Sequence, residues 1–261
     1  TGTNLSTLRS SHEKLSGGGV PSGPLEYWAF YDKVAGIVKS GGITRRAAKM
    51  DILDISHPDI IKFIESKMKE EEKLHILVAN GIPHSEAQES VNYQNTNISI
   101  RVGDDFMRAV EKDEEWQTIP VHNKELKEKM PKYKAKDLMR LISTSTWHCG
   151  DPGFQFDDTI NKWHTCPNSG RINSSNPCSE YMFIDDSSCN LASLNLTAFM
   201  KDDETFDVES FSKVVRLTAI AQDLLIDNSS YPTKDIASNS HKFRPLGTGY
   251  ANLGSLVMSL G

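Results

Sequence analysis

The stretch from Asp151 to Asn190 constrains this chain most. It is built from turn-forming strings, DPG, CPNSG, NSSNP and DDSSCN, and has little helical period. In a compact domain so long an aperiodic segment is either a functional loop or disordered. Phe154, Phe156, Trp163, Tyr181 and Phe183 give it apolar anchors that disordered segments lack. It is therefore expected to be a loop held in place, and the flanking sequence must supply the scaffold.

That scaffold reads as helices and short strands. In PLEYWAFYDKVAGIVKS, Leu25, Trp28, Val34, Ile37 and Val38 recur at helical spacing, and Gly41-Gly42 supplies a stop. Met50 to Ile55 reads as a buried strand. Ser56-His57-Pro58 opens a second helix with Ile60, Ile61, Ile64 and Met68 on one face and Pro58 near its first position. The mixed charges of KMKEEEK, Lys67 to Lys73, read as a solvated helix face. Gly81 to Gln88 is expected to be a surface loop and Asn97 to Val102 a strand. Helices are expected over Asp104 to Glu111, Ala135 to Trp147, Val208 to Ile226, and from Gly249 onward. With 261 residues, 38% of them hydrophobic, the chain suits one large α/β domain or two smaller ones.

Composition narrows the partners. A net charge of −6 gives no broad basic surface, so nucleic acid is not expected as a direct partner. Phosphate can still bind locally at helix N-termini or a few arginines. No run approaches the roughly 20 apolar residues of a membrane span, and no leader pattern opens the chain, so a cytoplasmic protein is expected. The opening TGTNLSTLRS and closing SLVMSLG read as cut ends, the mark of a fragment.

The four cysteines, Cys149, Cys166, Cys178 and Cys189, cluster in one part of the chain. A disulfide framework would be denser and more evenly spread, so site chemistry or burial is the better reading. His148-Cys149 and His164-Thr165-Cys166 fit no zinc spacing, and no metal is expected. Cys149 and Cys166 read as small buried side chains.

Within SSNPCSEYMF, Asn176, Cys178 and Glu180 stand at alternate positions, which in an extended loop point the same way. An amide can hold a hydroxyl, a carboxylate can take and return a proton, and a thiol between them can abstract an atom or attack. A thiol–disulfide protein using Cys178 and Cys189 is an alternative, although no CxxC is present.

The strings NPCSEY and SSCNLASLNL closely resemble the catalytic subunits of ribonucleotide reductases. So do GTNLSTLRSSHEKLSGGG, GGITRRAAKMDIL, GDPGFQFDDTINKWHTCPNSGRIN and RPLGTGYANLG. The resemblance covers almost the whole chain and is closest to the adenosylcobalamin (vitamin B12)-dependent class II enzymes. It implies a ten-stranded α/β barrel with a central finger loop, of which residues 1–261 would be roughly the first half. The implied activity is reduction of ribonucleotides to 2′-deoxyribonucleotides by a protein thiyl radical. By the resemblance Cys178 is that radical, shielded inside the barrel; Glu180 deprotonates the ribose 3′ hydroxyl, and Asn176 hydrogen-bonds the ribose hydroxyls. Cys189 is one member of the reducing dithiol, whose other member lies upstream of the segment matching GTNLSTLRS. The loop with Gly41, Gly42, Arg45 and Arg46 would lie between substrate and a nucleotide effector, an arginine touching phosphate, and Gly81 to Thr96 resembles the second allosteric loop. Implied partners are a ribonucleotide substrate, a deoxynucleotide or ATP effector, a thioredoxin-type reductant and, at full length, a second copy in a homodimer. A catalytically inactive nucleotide-binding regulatory module is the rival reading.

Overall fold

The computed structural model describes residues 1–38 and 47–261, in two compact units, Thr1–Phe183 and Ile184–Gly261. The first unit runs β1 (Gly2–Asn4), α1 (Pro24–Ile37), β2 (Lys49–Asp54), α2 (Ile60–Ala79), α3 (His84–Ser90) and β3 (Thr96–Val102). It continues with α4 (Asp104–Lys112), β4 (Glu115–Gln117), β5 (Lys132–Lys134), α5 (Ala135–Cys149), β6 (Gly153–Phe156) and α6 (Asp157–Lys162). Strands β1, β2, β3 and β6 form one sheet in that order, every pair parallel, while β4 and β5 make a separate antiparallel ribbon.

The register divides this sheet into two different faces. Leu53 lies beside Ile100, and side chains alternate along each strand, so Leu53, Ile55, Ile98, Ile100 and Val102 share a face. They join Phe63 and Ile64 of α2, Phe106 and Ala109 of α4, and Leu138 and Ile142 of α5 in one buried cluster. The opposite face presents Gly2 and Asn4, Met50 and Ile52, Asn97, Ser99 and Arg101, then Gly153 and Gln155. A parallel sheet needs cover on both faces. On this second face the cover is the aperiodic loop.

Several sequence expectations shift. In α1 the inward residues are Trp28, Asp32 and Ala35, whereas Val34, Ile37 and Val38 are exposed. The face is chosen by Trp28, which stacks on Tyr93, and by Asp32, whose carboxylate accepts the N–H groups of Tyr93 and Asn95 at 2.9 and 2.8 Å. The Lys67 to Lys73 run is not simply solvated. Lys67 donates to the Thr96 carbonyl at 2.7 Å and pairs with Asp151 at 2.5 Å, and buried Glu70 accepts the Asn92 N–H at 2.9 Å. Helix α3 occupies much of the expected surface loop, and β6 and α6 take the first part of the long aperiodic segment.

The second unit contains β7 (Asn190–Asn195), α7 (Val208–Asn228), α8 (Lys234–Phe243), β8 (Leu246–Ala251) and α9 (Leu253–Leu260). Strands β7 and β8 are parallel, from Asn190 beside Leu246 to Asn195 beside Ala251, so α7 and α8 form the crossover between them. The helix expected from Gly249 begins at Leu253, because Gly249 belongs to β8. The architecture is thus α/β with parallel sheets; among the described residues the strands do not close into a barrel.

Candidate functional site

The residues from 172 to 181 run over the polar face of the first unit's sheet. Asn4 Nδ2 donates to the Asn173 carbonyl at 2.8 Å, and Asn97 Nδ2 donates to the Pro177 carbonyl at 2.8 Å. A Cβ on Gly2 would stand 1.7 Å from the Ser175 carbonyl oxygen, so the loop lies directly on β1 where only a glycine fits. Beneath it Arg101 and Gln155, neighbours across β3 and β6, are 3% and 1% exposed. Arg101 donates through Nη1 to Gln155 Oε1 at 3.0 Å, through Nε to Asp157 Oδ1 at 2.7 Å, and through Nη2 to the Ile172 carbonyl. This pairing is what a buried guanidinium requires. Nearby, burial pushes the Asp54 carboxyl above its ordinary pKa, and the Asp157 charge adds to the rise.

Asn176 to Ser179 form a β-turn, not the extended run that alternation implies. The Ser179 N–H donates to the Asn176 carbonyl at 3.0 Å, with Asn first and Pro second, the residues such a turn favours. Ser179 has φ 63°, in the left-handed region. The Asn176 Oδ1 accepts the Tyr181 N–H at 2.9 Å, so this amide's oxygen builds the loop. Cys178 and Glu180 are both exposed. The expected burial of Cys178 is not found in this unit, because the contacts that hold the turn go to main-chain carbonyls and serine hydroxyls and leave the thiol outward.

Cys189 belongs to the second unit, one residue before β7. It is half-buried, and its thiol donates to the Asn190 carbonyl at 3.4 Å. A Cβ on Gly247 would lie 3.1 Å from its Sγ and 2.3 Å from Leu191 Cδ2, so the glycine of RPLGTGY leaves room for this cysteine. Buried Gln222 of α7 donates to the Asn190 and Gly247 carbonyls, both at 3.2 Å, and locks the start of the strand pair.

Cys149 and Cys166 are half-buried and not fully enclosed as expected. The Cys149 thiol donates to the Ser145 and Asp151 carbonyls, both at 3.3 Å. None of the four cysteines forms a disulfide. His164 turns both ring nitrogens to the backbone, with Nδ1 accepting the Cys166 N–H at 3.3 Å and Nε2 3.2 Å from the Gly170 carbonyl. No group of three or more metal-ligating side chains is found among the described residues. Gly41, Gly42, Arg45 and Arg46 lie outside the described residues.

The string TLRSSHE contributes fixed acceptors. Glu13 accepts the N–H groups of Val121, His122 and Asn123 at 2.9, 2.9 and 3.2 Å. Burial alone would raise its pKa, but these donors outweigh it and hold the carboxyl below its ordinary value. His57 is buried, with Nε2 3.0 Å from the Leu8 carbonyl and Nδ1 accepting the Asp59 N–H at 3.1 Å. Burial pushes its pKa down.

Compared with known families, residues 1–261 match the ribonucleotide reductase barrel domain from end to end. The chain belongs to that family. It is similar to the vitamin B12-dependent ribonucleotide reductase of Rhodopirellula baltica, at 58% identity over 264 residues, covering all of this chain and 25% of that protein. The enzyme of the same name from Streptomyces clavuligerus is 52% identical, covering all of this chain and 28% of that protein. The vitamin B12-dependent ribonucleoside-diphosphate reductase of Mycobacterium tuberculosis is 34% identical, covering all of this chain and 34% of that protein. The chain thus spans a quarter to a third of the length of these ribonucleotide reductases. Sequence reasoning pointed to Asn176, Cys178, Glu180 and Cys189 and did not single out Asn97, Arg101, Gln155 and Ser175, which hold the 172–181 loop on the sheet. The available signal was NISIRV, where polar residues alternate with apolar ones in a strand whose polar side is covered.

Proposed function

We propose that this chain is the first half of the barrel of a vitamin B12-dependent ribonucleotide reductase and carries its radical cysteine. The observation that carries the reading is the Asn176–Ser179 turn. It presents an exposed thiol at Cys178 and an exposed carboxylate at Glu180 from a loop fixed to the non-helical face of a parallel sheet. In the complete ten-stranded barrel that face is the interior, the 172–181 loop is the finger, and the remaining strands exclude water from Cys178.

The roles follow from the chemistry of each side chain. Cys178, as a thiyl, takes the hydrogen from ribose C3′ while Glu180 accepts the 3′ hydroxyl proton. The 2′ hydroxyl then takes a proton from the Cys189 dithiol and leaves as water. Cys189 and a partner cysteine outside this chain supply two electrons and the hydrogen that goes to C2′, becoming a disulfide; Cys178 returns the hydrogen to C3′ and Glu180 the proton to the 3′ oxygen. Asn176 uses its Nδ2 donors to orient a ribose hydroxyl, since its Oδ1 is engaged by Tyr181. Adenosylcobalamin, when bound, supplies the one-electron oxidation that makes the Cys178 radical, and the thiol's exposure on the turn suits approach by such a group. A thioredoxin-type protein restores the dithiol. A deoxynucleotide or ATP effector acts through the loops around Gly41–Arg46 and Gly81–Thr96, and the enzyme works as a cytoplasmic homodimer. Among the described residues no helix is long and apolar enough to cross a membrane.

The test is deoxynucleotide formation by the complete protein supplied with ribonucleotide, adenosylcobalamin and a dithiol. Activity lost on Cys178→Ser supports the reading. Wild-type activity in that variant removes it.

A further inference from the structure

Gln155 on β6, together with Asn97 on β3, ties the sheet to the Cys178 turn. Its Oε1 accepts from Arg101 at 3.0 Å, and because a guanidinium can only donate, this contact fixes which end of the amide faces the loop. The Nε2 end then donates to Ser175 Oγ at 2.7 Å and to Ser179 Oγ at 3.3 Å. Those hydroxyls stand 3.2 Å from each other, and Ser175 Oγ also donates to the Asn176 carbonyl at 2.9 Å. One buried amide therefore holds the residue entering the turn and the residue closing it, with Cys178 between them. Arg101 is itself anchored to Asp157 and to the Ile172 carbonyl, so the chain Arg101, Gln155, Ser175 and Ser179 runs from sheet to turn without a break.

We propose that Gln155 is a positioning residue for the Cys178 thiol, with Arg101 orienting it. The proposal rests on the reading of Cys178 given above for its functional meaning, but the grip itself is a property of the fold. A hydrogen abstraction needs the sulfur within a narrow range of the ribose carbon, and displacement of about 1 Å costs roughly 10²-fold in rate. Gln155 is buried beneath the loop and acts through Ser175 and Ser179. It sets where the turn sits.

The discriminating substitution is Gln155→Glu in the complete enzyme. Glutamate keeps an acceptor for Arg101 and the buried volume but has no proton to give: Ser179 can turn its own hydroxyl to the carboxylate, whereas Ser175 can do so only by releasing the Asn176 carbonyl at the start of the turn. A role confined to filling space and pairing with Arg101 is met by glutamate; the donated hydrogen bond to Ser175 is not. The expected result is a loss of about 10²-fold in kcat with KM unchanged. Hydrogen exchange at the Ser179 amide should also accelerate roughly five- to tenfold, the worth of one neutral hydrogen bond. Ser179→Ala, which removes one of the two contacts at the partly exposed end, should show the same changes at smaller size, and it carries the test if Gln155→Glu does not fold. Wild-type kcat together with unchanged Ser179 exchange, in whichever variant folds, overturns the proposal. Cys178→Ala measured alongside separates the two failures. If it retains activity, the reading of Cys178 falls, while the exchange rates still decide whether Gln155 holds the turn.

Discussion

Gly2 and Ser175 are in backbone contact: a β-carbon added at Gly2 would stand 1.7 Å from the Ser175 carbonyl oxygen. Gly2 pairs with Met50 in the sheet, and Ser175 leads into the turn that carries Cys178, so the glycine sets how low the loop can lie. Gly2→Ala must lift the loop or push β1 aside. The expected cost is about 1–3 kcal/mol, the usual range for overpacking, read from the denaturant midpoint, with a fall in kcat as the Cys178 turn moves.

Asn176 serves the loop with its oxygen and is assigned to substrate with its nitrogen. Asn176→Asp keeps the acceptor for the Tyr181 N–H and loses the donors. Its stability should stay near wild type while activity falls. Asn176→Ala should lose both, with a stability cost of about 1 kcal/mol for the missing hydrogen bond. Thermal unfolding and steady-state kinetics of the pair separate the two ends of the amide.

Glu180 is exposed, so its replacement should hardly touch stability, within about 0.5 kcal/mol. Glu180→Gln should nevertheless slow turnover by roughly 10²- to 10⁴-fold, the usual loss on removing a general base. Equal kcat in variant and wild type would exclude proton transfer by this carboxylate.

His57 makes stability depend on pH. Burial lowers its pKa below the ordinary 6.5, so the folded protein holds the ring neutral. As pH falls below 6.5 the unfolded chain takes up a proton that the folded state resists, and stability drops until the folded pKa is reached. Asp51 and Asp54, raised by burial, act in the opposite sense, gaining stability as they protonate. The difference between wild type and His57→Gln isolates the histidine. Wild type should lose more stability than the variant between about pH 7 and 5, measured by denaturant titration.

Legibility from sequence tracked the range of the interaction. Strands β2 and β3 and helices α2, α4 and α5 were readable because their apolar period is local and each buries that face in one cluster. The face of α1 was misjudged because Asp32, a carboxylate, points inward to cap the Tyr93 and Asn95 N–H groups, a contact some sixty residues away. The chemistry of Asn176, Cys178 and Glu180 was legible as residue types. Their geometry was not, since the turn is set by Pro177 and by Asn97 and Gln155 on separate strands. Helix α8 escaped notice because its polar sequence KDIASNSHKF carries a weak apolar stripe and owes its start to the Thr233 cap on the Ile236 N–H.

The central claim is that Cys178 starts the radical chemistry and Cys189 finishes it. Single-turnover analysis of substrate, free base and deoxynucleotide in full-length Cys178→Ser and Cys189→Ser, with adenosylcobalamin present, tests it directly. Cys178→Ser should leave the ribonucleotide untouched. Cys189→Ser should consume it and release base without forming deoxynucleotide. Equal inertness of the substrate in both variants, or normal deoxynucleotide formation by Cys189→Ser, would contradict this division of roles.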